Sequence, residues 1–191
     1  TNTNAILGVE AANWTTGATA ELRLAYTAGY NRSIKGHHDN GLQFFTNPTN
    51  PSLQIDNSGR VTMPYQPSFE AYRTLGNVGV GNVVVFNQTR HNTGNHYSTS
   101  NGHFTAPVAG NYIFTCHGFT NNTADLTMDM QVNQVNILRM QFDTNAGYRG
   151  QVLSAVFNLS VNDTVRMYTT TGTVHYNTSG LYSNFTGCFL G

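Results

Sequence analysis

The N-terminal third of the chain alternates in short stretches. Ala20–Tyr26 and Gly41–Thr46 place apolar residues at every second position, the period of a half-buried strand. Asn47-Pro-Thr-Asn-Pro51 interrupts that pattern with two prolines. Ser52–Asp56 then reads as a short strand, Asn57-Ser-Gly59 as a turn and Arg60–Met63 as the returning strand. Pro64 and Pro67 bracket a short linker. Beyond it Val83–Phe86 is a continuous apolar run, which predicts a strand covered on both faces.

The sharpest local signal is Gly102-His-Phe-Thr-Ala-Pro-Val-Ala-Gly-Asn-Tyr-Ile-Phe114, read as strand, tight turn, strand. Pro107 presets φ and removes a donor, while Gly110 accepts a backbone shape that a Cβ would oppose. Strands are expected over Leu126–Met130, Ile137–Phe142, Val152–Leu159, Thr164–Tyr168, Val174–Tyr176 and Tyr182–Leu190. Turn residues fall between them at Asn121-Asn122, Asn145-Ala-Gly147, Val161-Asn-Asp163 and Thr171-Gly172. No segment carries a helical period, so the fold class is all-β.

Several dispersed blocks resemble the C1q-like domain of the C1q and tumour-necrosis-factor superfamily. They are Phe69-x-Ala-x-Arg73, Phe86-Asn87 with Asn92-x-Gly-x-x-Tyr97, the corner at Gly102–Phe114, Leu159-x-x-x-Asp-x-Val165 and Phe185-x-Gly-x-x-Leu190. The resemblance covers about Pro67 to Gly191. It implies a jelly-roll sandwich over residues 67–191 and a homotrimer; residues 1–66 lack the family pattern and read, from their own alternating strands, as a β-rich attachment segment. By family position, Tyr72, Tyr112 and Phe114 are candidate axis residues, with Tyr182 and Phe189 beside them. The family topology makes the strands of Cys116 and Cys188 neighbours, so a bridge is conceivable; two buried free thiols are the plainer reading.

Within the leader, Leu53–Gln66 resembles the connectors of phage and other viral fibre or decoration proteins. No Gly-X-Y collagen repeat precedes the head. The expected setting is therefore a virion surface or another extracellular location. The alternatives are a fibre tip that binds a host-surface receptor, a capsid decoration protein and a secreted lectin. Residues 1–66 would join the trimer to other virion proteins.

Composition narrows the chemistry. Asp, Glu, Lys and Arg make up 9% of the chain, nine positive against nine negative, where about 25% is usual. No basic footprint for nucleic acid is present, and no run of about 18 apolar residues predicts a membrane helix. Polar loops rich in Asn, Thr, Ser and Tyr remain, at Gly94–Asn101, Asn121–Asp125, Asp143–Gly150 and Thr170–Gly180. They bring Tyr97, Tyr148, Arg149, His175 and Tyr176 forward as a carbohydrate-binding set, because rings stack on sugar C–H faces while amides and hydroxyls meet sugar hydroxyls.

No Gly-x-Ser-x-Gly, HExxH or phosphate-cradling loop occurs, so catalysis is not expected. No cofactor or metal is expected either. His37 and His38, with Asp39, form the most ligand-like cluster, yet neighbours on a strand point to opposite faces. The resemblance implies calcium at the top of the three-fold axis in some members. Asp143 falls where one such acid sits, but Arg149 occupies the place of a second and sets fixed positive charge there.

Overall fold

The computed structural model describes residues 15–26, 30–47, 49–120, 125–143 and 148–191. Its contacts divide the chain into two units, Thr1–Tyr65 and Gln66–Gly191. In the first, β1 (Thr19–Tyr26), β2 (Tyr30–His37), β3 (Gly41–Phe45), β4 (Leu53–Ile55) and β5 (Val61–Thr62) form one antiparallel sheet in sequence order. Pattern alone did not predict β2. Its sequence, YNRSIKGH, contains a single large aliphatic residue.

The second unit is a two-layer sandwich. One sheet has the order β13-β10-β15-β6-β8, with β6 Ser68–Tyr72, β8 Gln88–Thr93, β10 Gly110–Thr120, β13 Arg149–Leu159 and β15 Asn184–Phe189. The other has the order β12-β11-β14-β7, with β7 Asn82–Val83, β11 Leu126–Val132, β12 Val135–Phe142 and β14 Thr164–Thr171, while β9 (Phe104–Thr105) pairs with β14. Among the described residues every regular element is a strand.

Strict alternation along β10 divides its side chains. Tyr112, Phe114 and Cys116 point into the sandwich and are fully buried. Phe69 of β6 sits at the centre of the aromatic core, stacked on Tyr97 at 4.7 Å between centroids and edge-on to Phe185 at 5.1 Å. The facing sheet supplies Met128, Met130, Met140 and Met167, whose unbranched chains fill the spaces that rigid rings leave. The predicted corner forms. Gly110 has φ +145°, and a Cβ there would lie 2.8 Å from the Gly191 carbonyl oxygen.

The apolar run Val83–Phe86 departs from expectation. Only Asn82–Val83 pairs as a strand; Val84 and Phe86 then alternate inward as single buried side chains. Their backbone bonds go elsewhere: Val84 N donates to Met167 O and Phe86 N to Tyr97 Oη. Arg73 holds this segment by donating from Nε to Gly76 O at 2.7 Å and from Nη1 to Val85 O at 2.5 Å. Val174 likewise forms a lone bridge to Val78 rather than a strand. The turns expected at Asn162 and Gly172 are present with φ +71° and +73°; those at Asn121-Asn122 and Asn145–Gly147 lie outside the described residues.

The outer side of the second sheet is polar yet closed. Asp129 is 1% exposed and accepts two bonds from Arg139, 2.7 Å from Nε and 2.9 Å from Nη2. Beside it, Asn136 Oδ1 accepts from Gln131 Nε2, and Gln131 Oε1 accepts from Arg166 Nε at 2.7 Å. Arg166 Nη1 then reaches His103 Nε2 at 3.1 Å. Arginine only donates, so this histidine nitrogen accepts and the ring is neutral.

This network makes stability depend on pH. Burial, reinforced by the Arg166 charge, holds the His103 pKa below its ordinary 6.5. The unfolded chain therefore takes up this proton first, and stability falls as pH drops below about 6.5. Chemical denaturation at fixed protein concentration should show that loss between pH 7 and 5, and His103→Gln should reduce it. The further loss below about pH 4, from carboxylates such as Asp39, Asp56 and Asp163 whose pKa values the fold lowers, should be unchanged by His103→Gln.

Candidate functional site

Two surfaces of the sandwich stand out, and both grow from β10. The first is the outer face of the β13-β10-β15-β6-β8 sheet. Directly paired residues share a face, so the register sets out cross-strand rows. One row runs Val156–Ile113–Cys188–Ser68 and the next Ser154–Thr115–Thr186–Glu70. A third runs Val152–His117–Asn184–Tyr72. Val152 and Val156 are 60% and 56% exposed. The one carboxylate in these rows, Glu70, is paired with Arg90, whose guanidinium carbon lies 4.6 Å from the Tyr72 ring centroid. The rest of the three rows is apolar, hydroxyl, amide, thiol or imidazole.

The second surface begins where β10 ends. Phe119 is its centre, with ring centroids 4.5 Å from Tyr182, 5.9 Å from Tyr148 and 6.0 Å from His175, and Tyr176 lies 5.9 Å from His175. Backbone bonds fix the cluster: His175 N donates to Phe119 O at 2.7 Å and Ser183 Oγ to His175 O at 3.1 Å. Tyr148 is 71% exposed and Leu181 68%. His175 Nδ1 is buried without a hydrogen-bond partner. Arg149, exposed, pairs in register with Thr120 next to these rings. Gly150 pairs with Phe119, and a Cβ there would meet His117 Nε2 at 2.6 Å.

The structure thus brings together Tyr148, Arg149, His175 and Tyr176 of the expected carbohydrate-binding set. Tyr182, expected at a subunit contact, belongs to the same cluster. Phe119 was not singled out because nothing in its sequence context separates it from an ordinary strand aromatic.

Tyr97 is a correction. It is 3% exposed, stacks on Phe69 and accepts a bond from Phe86 N, and burial drives its pKa upward. No ligand reaches it. Its loop, 94–101, also lies at the other end of the sandwich, following Thr93, which pairs with Ser68. Tyr112 and Phe114 are corrected in the same way. Both side chains are 0% exposed in the protomer's own core, so neither can line a three-fold axis. Phe189 is half-buried against Tyr112 at 4.9 Å. Tyr72 alone of that trio remains on the outer face.

Cys116 and Cys188 are free thiols, the first buried and the second exposed. Cys116 pairs with Phe185 while Cys188 pairs with Ile113. That odd offset of three residues turns the two side chains to opposite sides of the sheet, which rules out a bridge and brings the second thiol to the surface. At the turn after β2, His37 Nδ1 accepts from the backbone N–H groups of Asp39 and Asn40, and His38 Nδ1 lies 2.9 Å from Asp39 Oδ1. These residues tie a turn together. Asp143 is exposed. No group of three metal-ligating side chains is set to hold an ion among the described residues.

Comparison with known proteins bears on the whole second unit. The family model described as C1q domain matches residues 68–190. The globular domain of zebrafish complement 1qA protein superposes with a TM-score of 0.56 at 20% identity, over 66% of this chain and 98% of that one. An Eiger TNF from S. frugiperda superposes with the same TM-score at 11% identity, over 66% of this chain and 93% of that one.

Removing the Tyr97 hydroxyl tests its assignment to the core. Tyr97→Phe leaves the buried Phe86 N–H without an acceptor and should cost about 1–3 kcal/mol in denaturant unfolding.

Proposed function

The chain belongs to the C1q domain family, whose members are typically trimeric and generally structural or ligand-binding rather than enzymatic, and from that premise we propose that it is a non-enzymatic, homotrimeric receptor-binding module at the surface of a virus particle, such as a fibre tip. Its ligand is a host-surface glycan. The observation that carries the reading is the exposed ring cluster around Phe119, with Tyr148 standing out to solvent and Arg149 beside it.

Aromatic faces stack on the C–H face of a pyranose, and the amide- and hydroxyl-rich loops around them pair with its hydroxyls. Arg149 forms no ion pair among the described residues, so it adds a preference for a sugar carrying carboxylate or sulfate. The outer face of the five-stranded sheet supplies the subunit contact, since its exposed Val152 and Val156 are uncharged and the one carboxylate in its rows, Glu70, is already paired with Arg90, so copies meet with little repulsion or desolvation of free charge. A β-rich segment ahead of a C1q head, with no collagen repeat between them, supports the virion setting.

Light scattering should return three times the 20.9 kDa chain mass, and Ile113→Arg should return a single chain mass. Thiol labelling reads the same face. The trimer should react at neither cysteine, the Ile113→Arg protein at Cys188 alone, and the unfolded chain at both.

On a glycan array the trimer should bind, and Tyr148→Ala should weaken binding at least tenfold without changing the mass. A trimer that binds neither glycans nor cells, and whose loss leaves particles fragile, would replace the receptor reading with decoration.

A further inference from the structure

The described strands of the N-terminal unit form a single layer, and its register sorts the side chains unequally. One side carries Glu21–Lys35–Gln43–Gln54 and, beside them, Arg23–Ser33–Phe45. This side is closed by its own long side chains. Lys35 Nζ lies 3.6 Å from Glu21 Oε1 and 4.3 Å from the Phe45 ring centroid, and Gln43 Nε2 donates to Gln54 Oε1. Ser33, Gln43 and Phe45 are buried in consequence.

The other side is apolar and open. Leu22–Ile34–Phe44–Leu53 forms one cross-strand row and Leu42–Ile55–Val61 the next. Leu22, Leu42 and Val61 are 38%, 40% and 57% exposed, and the other four are half-buried. The one charged side chain described on this side is Arg32, at the margin beyond the end of β3. A sheet with an apolar side normally buries it against a second layer, and the described residues of the N-terminal unit supply none.

We propose that this side packs against the same side of two further copies of the chain, so that three N-terminal sheets enclose one apolar core. The occupant follows from charge and tethering. Arg32 lies at the margin and the two apolar rows carry no charge, so three identical faces can meet along those rows without repulsion. Only residues 63–67 separate β5 from β6, so trimeric heads would hold three such faces at an effective concentration of order millimolar, above that of a free partner. The tether rests on the trimer reading above; the face itself does not.

The test uses the full-length chain carrying Cys188→Ser, with one cysteine introduced at a time and a short bis-maleimide as the probe. Cys116 is buried and stays silent. Leu42→Cys should give linked dimers on denaturing gels at least tenfold more than Arg23→Cys, which lies on the closed side and is 65% exposed. Val156→Cys reports the head separately. Equal, low linkage at positions 42 and 23 would overturn the proposal, whether or not position 156 links. Linkage at 42 without linkage at 156 would keep it and overturn the head trimer instead. Leu42→Asp provides a second readout and should lower the thermal transition of the N-terminal unit more than Arg23→Asp does.

Discussion

A missing Cβ sets the spacing of the whole sandwich. At Gly187, in the middle of β15, an added methyl would lie 2.5 Å from Phe69 and 2.7 Å from Phe114. The two rings occupy that space, and Phe185, two residues earlier on the same face, completes the contact with both. Because β15 lies between β10 and β6, this close approach fixes three strands at once. It also fixes what faces out. With Gly187 and Phe185 inward, Thr186 and Cys188 must point away from the core, in line with Ile113 and Thr115 of β10 and Ser68 and Glu70 of β6. The candidate subunit surface is therefore the reverse side of the aromatic core. Volume changes at Gly187 would be felt on both sides of the sheet.

The few charges are spent mainly within the fold. Five of the nine cationic side chains meet carboxylates: Arg23 and Lys35 at Glu21, Arg60 at Asp56, Arg90 at Glu70 and Arg139 at Asp129. Arg73 is engaged by backbone carbonyls and Arg166 by Gln131 and His103. Only Arg32 and Arg149 lack such a partner among the described residues. They sit beside the two surfaces argued here to meet other molecules, the open side of the N-terminal sheet and the ring cluster. With so little free charge, long-range steering would contribute little to any partner these surfaces meet, and selectivity there would rest on short-range ring stacking, shape and hydrogen bonding.

The sandwich separates its polar loops by strand direction. The loops that lead into β13 and β15 share the end where β10 stops at Thr120, and there they gather Tyr148, His175, Tyr176 and Tyr182 around Phe119. The 94–101 loop follows β8 to the opposite end. A set of similar polar loops thus becomes one aromatic surface and one separate loop whose tyrosine is turned into the core.

What the sequence determined by itself was whatever depends on local chemistry and period. Alternation located β1, β3 and most strands of the head, and the Pro107–Gly110 turn marked the corner. Dispersed Phe, Gly and Asp positions identified the family, because close packing, as at Gly187, allows few residue types. The polar edge strand β8, QTRHNT, was invisible because its ladder needs only backbone groups and its side chains lie at a solvent-facing margin. Tertiary structure alone decided which aromatics face which way. Tyr97, Tyr112 and Tyr148 are the same residue type, each preceded by an Asn and a Gly within three residues, yet two are in the core and one stands in solvent. The reason is that period two reports which residues share a side, while the side that is buried depends on strands distant in sequence. The pairing of Cys188 with Ile113 rather than Cys116, and the open apolar side of the N-terminal sheet, were settled by the same long-range register.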